Sequence, residues 1–407
     1  MMSRAVQRVA AATAVAGAGA GLAWVWRHQG ELAMRRPLNE WTFTHMDRLM
    51  PTETVTRSGP VRPLPYRPAV LDVAYEWRGR RRTLEDLHAS TLTTAFVVLH
   101  RGAIVHESFP GRFASPATRF QLFSLTKSVT SMLIGIALAE GSIASLDDPV
   151  VRYRPDLAGS AYDGPTVEHL LQMSSGVGDL EDWTLPDALI NRFEQAVTSG
   201  RPVLEVIRSA PRVCEPGVRF NYSTLDSHVL GWVLEAATGM SLARYAAERL
   251  WSRIGAEHDA FYFLTRGRPR TALGGGSLNA AARDLARLGL LMARSGQMDG
   301  IQVLDSGWVE RSRSGAATYL DVGRLGPSGA PHYGYANQWW TLGGERRAFT
   351  GLGVHGQYLW VDPEADVVIA KTSAWPTPDD TERDGETVAA LTALTDRLAA
   401  LTDRPTG

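Results

Sequence analysis

The run Phe120-Gln-Leu-Phe-Ser124-Leu-Thr-Lys127-Ser-Val-Thr-Ser-Met-Leu-Ile-Gly-Ile-Ala-Leu-Ala-Glu-Gly141 decides how this 407-residue chain is organised. From Val129 to Ala139 only Thr130 and Ser131 are polar, and Gly141 is a helix stop, so the run predicts a buried helix. Its first turn carries Ser124 and Lys127, three apart and therefore on one face. A hydroxyl is a weak nucleophile until a neighbour takes its proton. A lysine serves as that neighbour where burial or a nearby cation lets it become neutral. The free N–H groups at the start of the helix suit a developing oxyanion. The spacing alone is common on solvated helix faces, so the rest of the chain decides what the pair means.

Working outward, Thr94–His100 and Ala103–Ser108 read as two strands of a hairpin turning at Arg101-Gly102. After the helix come a turn-rich exit and a short helix capped by Thr166, with Glu168 near the capping-box position. A loop with Glu181-Asp182-Trp183 follows, then helical periods over 185–197, 203–209, 225–238 and 242–251. Gly274–Asn279 reads as a glycine turn. Late in the chain, Tyr335–Leu342, Phe349–Val361 and Val367–Thr372 read as three strands, and 387–401 as a closing amphipathic helix. Strands early and late with helices between predict an α+β fold: one antiparallel sheet built from both ends of the chain, flanked by helices, with an all-helical lobe at about 145–275. A site between lobe and sheet suits a small-molecule pocket.

Ahead of this main domain (77–407) lie a proline-rich lead-in over 37–76, expected to be irregular, and a leader over 1–36. Val9 to Trp26 carries no charge, with Arg4 and Arg8 before it and Arg27 after. An export signal, a membrane anchor through residues 9–26 and a surface helix compete for it; export or anchoring is favoured, with a cytoplasmic location as the alternative. The net charge of −1 gives no footprint for nucleic acid. The single cysteine, Cys214, allows neither an intrachain disulfide nor a cysteine-based zinc site. No Gly-x-Ser-x-Gly, His-Glu-x-x-His or Walker motif occurs. Gly351-Leu-Gly353-Val-His-Gly356 has dinucleotide-loop spacing but runs into a strand, not a helix, so neither cofactor nor metal is expected.

Several stretches together resemble the serine β-lactamase and penicillin-binding-protein-like family, in its class C branch. They are Phe123-Ser124-Leu-Thr-Lys127-Ser128, Thr166-Val-Glu-His-Leu-Leu171 with Ser175-Gly176, and Phe220-Asn-Tyr222-Ser223; Leu278-Asn279 through Asp284-Leu285, Gly353-Val354-His355-Gly356-Gln357 and Val361-Asp362-Pro363 complete the set. The segment 39–51 and the run 354–357 look closest to the 6-aminohexanoate-dimer hydrolase and EstB-type esterase side. The resemblance implies a β-lactamase/transpeptidase-like fold and a set of roles. Ser124 would be the acylated nucleophile, Lys127 would share its proton network, and Tyr222 would be general base and acid. The backbone N–H groups of Ser124 and Val354 would form the oxyanion hole, with His355 as the next choice for the second donor. Trp183, Thr224, His355 and Gln357 would line the substrate pocket.

This chain departs from the family in three places. Thr224 stands where many members have the asparagine of Tyr-x-Asn, and a hydroxyl replaces one amide hydrogen bond, not two. The late-strand Lys-Thr-Gly triplet is missing; Lys371-Thr372-Ser373 imitates it one strand too late and reads as a decoy. Trp183 stands where the 6-aminohexanoate branch often has a tyrosine. The expectation is therefore a serine hydrolase that forms an acyl-enzyme at Ser124 and cleaves a small ester or amide, ester favoured. Its alternatives are a penicillin-recognising protein or weak β-lactamase or D-peptidase, and a catalytically silent membrane-tethered binding protein.

Overall fold

The computed structural model describes residues 33–402, so the leader stretch 9–26 lies outside the described residues. Among those residues, no helix is long and apolar enough to cross a membrane. The lead-in is more regular than its prolines suggest: helices Leu38–Thr42 and Met46–Leu49 precede strand β1 (Thr52–Val55). Pro37 is the N-cap of the first helix and Pro51 comes just before β1, places where a missing N–H breaks no ladder. Pro60, Pro63, Pro65 and Pro68 fall in the stretch 56–73, which is irregular apart from one bridge between Tyr66 and Ile104.

A hairpin of β2 (Ala74–Trp77) and β3 (Arg80–Thr83) follows, then a helix, Leu84–Ser90. β4 (Thr93–His100) and β5 (Ala103–Ser108) form the expected hairpin, with Arg101 at φ 52° and Gly102 at φ 72° as a two-residue primed turn. β6 (Arg119–Gln121) leads into the Leu125–Ala139 helix. The lobe comprises helices Val167–Leu171, Leu189–Ser199, Val203–Arg208, Thr224–Thr238 and Leu242–Ala246, the last running into a π turn at Ala247–Trp251. Thr166 does cap its helix, but His169, not Glu168, returns the reciprocal bond.

The lobe ends earlier than expected. β7 (Ala260–Phe263) and β8 (Leu278–Ala281) belong to a second, four-stranded sheet of order β1-β7-β8-β6, which the sequence reading lacked. After helix Ala282–Ala293 come a minor hairpin, β9 (Gln297–Met298) and β10 (Ile301–Gln302), and then β11 (Gly334–Ala336), β12 (Trp339–Gly343), β13 (Ala348–Gly353), β14 (Gln357–Asp362) and β15 (Val367–Ser373). Two runs expected as single strands are thus hairpins. Asn337 (φ 47°) and Gln338 (φ 65°) turn the first, and 354–356 turn the second. The first turn has no glycine or proline to mark it in the sequence, whereas the second has Gly356, at φ 87°.

The main sheet has the order β11-β12-β13-β14-β15-β4-β5, so the first and last thirds of the chain meet where β15 pairs antiparallel with β4. Val97, Leu99, Leu359 and Val368 face the core shared with helices Leu125–Ala139 and Ala282–Ala293. Phe96, Val98, Trp360 and Ile369 face Leu391, Leu394 and Leu398 of the closing helix Thr381–Thr402. Both faces being covered explains why these strands read as continuous apolar runs. The Leu125–Ala139 helix is buried from Leu125 to Ala137, as its composition requires.

Helix Ala282–Ala293 meets the sheet through Gly289, where an added Cβ would lie 2.4 Å from Val368 Cγ1 and 2.8 Å from Leu359 Cδ1. Gly289→Ala gains about 1 kcal/mol of helix propensity, but overpacking costs roughly 1–3 kcal/mol. We expect net destabilisation, seen as a lower urea midpoint with unchanged slope; a raised midpoint would show that the contact relaxes freely.

Candidate active site

β6 carries the chain to the site, and its ladder continues as Leu122 N–H donates to Leu278 O at 2.9 Å. Phe123 then takes φ 48°, a left-handed conformation that is costly for a bulky residue, about 1–3 kcal/mol. The corner presents Ser124, half-buried, at the head of the Leu125–Ala139 helix.

Lys127 is the centre of the arrangement and is 1% exposed. Its Nζ donates to Ser124 Oγ at 2.8 Å, to Gly275 O at 2.8 Å and to Thr224 Oγ1 at 3.1 Å. The Tyr222 ring lies beneath it, 4.9 Å from Nζ to the centroid. Burial pushes the Lys127 ammonium down to about 8, against the carboxylates of Glu181 and Glu194, which favour the charged form. Burial, reinforced by Glu181, raises the Tyr222 phenol well above its ordinary value. The Ser124 side chain acts on the Tyr222 hydroxyl and opposes the rise in its pKa. The sequence-predicted Ser124, Lys127 and Tyr222 therefore converge, although 95 residues of chain separate the lysine from the tyrosine.

Thr224 begins the Thr224–Thr238 helix, whose N-cap is Ser223. Its hydroxyl donates to Glu181 Oε2 at 3.0 Å while accepting from Lys127, and its N–H donates to Glu181 Oε1. A threonine has one O–H, and here it is committed to Glu181. Burial raises the Glu181 carboxyl, with Lys127 opposing. Burial and then Glu181 push Glu194 up to about 7, and burial also raises Asp379, whose charge reaches both Tyr222 and Glu181. These three carboxylates were missed as site groups. Glu181 appears in the sequence only as part of an acidic loop, and Glu194 and Asp379 carry no local signal.

The turn 354–356 packs against the Ser124 corner, with Val354 in a cluster with Phe123, Phe43 and Ala374. His355 N–H donates to Pro378 O at 2.8 Å, which removes it as an oxyanion donor; Ser124 N–H and Val354 N–H have no partner among the described residues. His355 and Gln357 do not line a pocket as expected. Both are 1% exposed. His355 Nδ1 bonds Trp375 O at 2.8 Å, and Gln357 Nε2 donates to Ser373 O at 2.9 Å and His355 O at 3.1 Å. They are scaffolding behind the turn, and burial lowers His355 to about 4, so it stays neutral. Trp183 is half-buried two residues beyond Glu181, and its carbonyl accepts from Asn191 Nδ2 at 3.2 Å.

The decoy reading of Lys371-Thr372-Ser373 agrees with its position in β15. Lys371 is buried, bonds Ser373 Oγ at 2.5 Å and lies over the rings of Tyr358 and Trp375. The Gly351–Gly356 spacing belongs to the β13–β14 hairpin, not to a strand-to-helix phosphate loop.

A seven-stranded antiparallel sheet with a helical lobe, and a Ser-x-x-Lys helix where they meet, define a hydrolase of β-lactamase/transpeptidase-like fold. The β-lactamase family profile matches residues 80–394, and the chain belongs to that family. It is similar to the 6-aminohexanoate-dimer hydrolase of Paenarthrobacter ureafaciens, 33% identical over 84% of this chain and 87% of that one. Esterase EstB of Burkholderia gladioli is 30% identical over 43% of this chain and 46% of its own length. Among solved structures, a Bacillus anthracis protein provisionally described as a 6-aminohexanoate-dimer hydrolase superposes with TM-score 0.80 at 26% identity, over 92% of this chain and 97% of that one. A penicillin binding protein from Bacillus halodurans shares the fold, with TM-score 0.58 at 18% identity over 75% of this chain and 99% of that one.

Loss of the Glu181 charge leaves the desolvation of Lys127 less opposed. If the free Lys127 amine is the base that activates Ser124, inactivation by a fluorophosphonate should rise with pH through about 8 in the unaltered protein. In Glu181→Gln the midpoint should move to lower pH; a midpoint that stays put or rises would contradict this electrostatic assignment.

Proposed function

We propose that this protein is a serine hydrolase that cleaves a small ester or amide through an acyl-enzyme on Ser124, with ester preferred. The observation that carries the reading is the 2.8 Å bond from a buried Lys127 Nζ to Ser124 Oγ, with the lysine brought to about 8 by burial. In its neutral form Lys127 accepts the Ser124 proton as Oγ attacks the substrate carbonyl. The oxyanion forms between Ser124 N–H and Val354 N–H. Tyr222, whose raised pKa keeps it a neutral phenol, passes its proton to the leaving oxygen or nitrogen and is resupplied from Lys127. This refines the expected role of Tyr222: it is a better acid than resting base. Water then takes the place of the leaving group, and the steps run in reverse to release the acid.

The ester preference rests on Thr224 and Trp183. The Thr224 hydroxyl proton is spent on Glu181, and Trp183 lacks a phenol, so neither offers the bond an amide substrate would draw from the family's asparagine and tyrosine. A second reading, an amide bearing an ammonium group, is supported by Glu181, Glu194 and Asp379 around the site and by what the Paenarthrobacter relative's name says it cleaves. The penicillin-recognising reading is weaker, because Lys371 is sequestered in β15 and leaves no late-strand cation at the site. A catalytically silent binder has no evident use for a buried lysine bonded to a serine.

Ser124→Ala should lower p-nitrophenyl ester turnover by roughly 10³-fold or more, with the folding midpoint retained; undiminished turnover would end the proposal. Run beside an amide of an amino acid oligomer and a penicillin, the same assay ranks the readings. Amide hydrolysis at ester-like rates would move preference to the second.

A further inference from the structure

The two proposed oxyanion donors come from distant parts of the chain, and each has an aromatic neighbour in sequence. Phe123 immediately precedes Ser124, and His355 immediately follows Val354. Their rings approach to 5.2 Å, and a third ring, Phe43, closes the triangle at 4.8 Å from Phe123, edge-on, and 4.9 Å from His355. Phe43 ends the Leu38–Thr42 helix, which lies outside the 80–394 span of the family match.

The same short segment holds both sides of the site by hydrogen bonds. Phe43 O accepts from Gln121 N–H at 2.8 Å, gripping β6 two residues before the left-handed corner at Phe123. β6 is an edge strand of its sheet, so Phe43 occupies the side that β8 leaves open. On the other side Asn39, fully buried, donates from Nδ2 to Trp375 O at 3.0 Å. That carbonyl also binds His355 Nδ1 at 2.8 Å, so Asn39 and His355 are tied to one oxygen.

We propose that the segment 38–43 is a built-in brace that sets the separation of the Ser124 and Val354 N–H groups, with Phe43 and Asn39 as positioning residues. The inference rests on the acyl-enzyme reading above. Oxyanion donors tolerate misplacement of only about half an ångström, and a corner residue held at positive φ relaxes when its packing is removed. The brace is expected to act on the transition state and to leave ground-state binding alone, since Phe43 and Asn39 are both buried, 4% and 0% exposed.

The test compares Phe43→Ala and Phe43→Leu with the unaltered full chain, using an oxygen ester and its thionoester. Sulfur accepts hydrogen bonds poorly, so an intact oxyanion hole penalises the thionoester. In Phe43→Ala we expect kcat for the oxygen ester to fall roughly 10- to 100-fold, with KM within about twofold. The oxygen-to-thiono rate ratio should collapse toward one. Phe43→Leu, which refills most of the volume, should recover part of both and serves as the decisive variant if Phe43→Ala does not fold. If either variant shifts only the thermal midpoint, or slows both substrates equally, the brace is overturned while the acyl-enzyme reading stands. If Ser124→Ala stays active, that reading fails, and the brace fails with it.

Discussion

The structure is built around keeping one amine out of water. Desolvating an ammonium costs several kcal/mol even after relaxation, and Lys127 is 1% exposed. Three oxygens meet it, and they come from three places: Ser124 on its own helix, Thr224 at the head of the Thr224–Thr238 helix, and Gly275 in the loop before β8. None of those elements can shift without leaving an unpaired donor in the interior. Burial also makes the amine useful, because it lowers the affinity of Lys127 for its proton toward neutrality. Glu181 limits that effect, and through Thr224 it is coupled to the same nitrogen.

Around this point lobe and sheet are fastened by polar bonds as well as by the core. Ser128 Oγ donates to Gln338 O at 2.7 Å, Gln338 Nε2 donates to Leu170 O at 2.9 Å, and Ser227 Oγ donates to Gln338 Oε1 at 2.5 Å. One residue of the β11–β12 turn thus touches the Leu125–Ala139 helix and two lobe helices. Thr130 Oγ1 adds a bond to Gly274 O at 2.7 Å, next to the carbonyl that Lys127 uses. Buried polar groups satisfied in this way specify one arrangement, where an apolar interface would allow sliding. The hydroxyls at 128 and 130 are bonded across elements, whereas that of Ser131 is buried with no partner among the described residues.

Much of the architecture was readable because it rests on periodicity and composition. The apolar run after Lys127, the Arg101-Gly102 hairpin and the late β-rich segment each carry a local physical signature, and the two-ended sheet follows from their order. What was misread had no such signature. The Asn337-Gln338 turn has no glycine or proline, and at 354–356 the turn glycine Gly356 sits close to Gly351 and Gly353, so no single glycine marks the corner and two hairpins read as two long strands. β6 and β8, three and four residues long, are defined only by the strands they pair with: β6 by β8, and β8 by β6 and β7. The lead-in was judged by its proline count, when the positions of Pro37 and Pro51 relative to the elements were what mattered.

The sequence by itself determined the fold class and the family, and it singled out Ser124, Lys127 and Tyr222 as the candidate site, because a buried helix with a polar head and the motifs around it are local properties of the chain. Only the tertiary structure decided which charges surround them. Glu181, Glu194 and Asp379 act through space on Lys127 and Tyr222, and Coulomb interaction depends on distances that no spacing along the chain reveals. Tertiary packing likewise moved His355 and Gln357 from the pocket to the scaffold, by giving His355 Nδ1 and Gln357 Nε2 backbone carbonyls to bind. It also brought Phe43, from a lead-in whose prolines suggest irregularity, against Phe123, the residue that precedes Ser124.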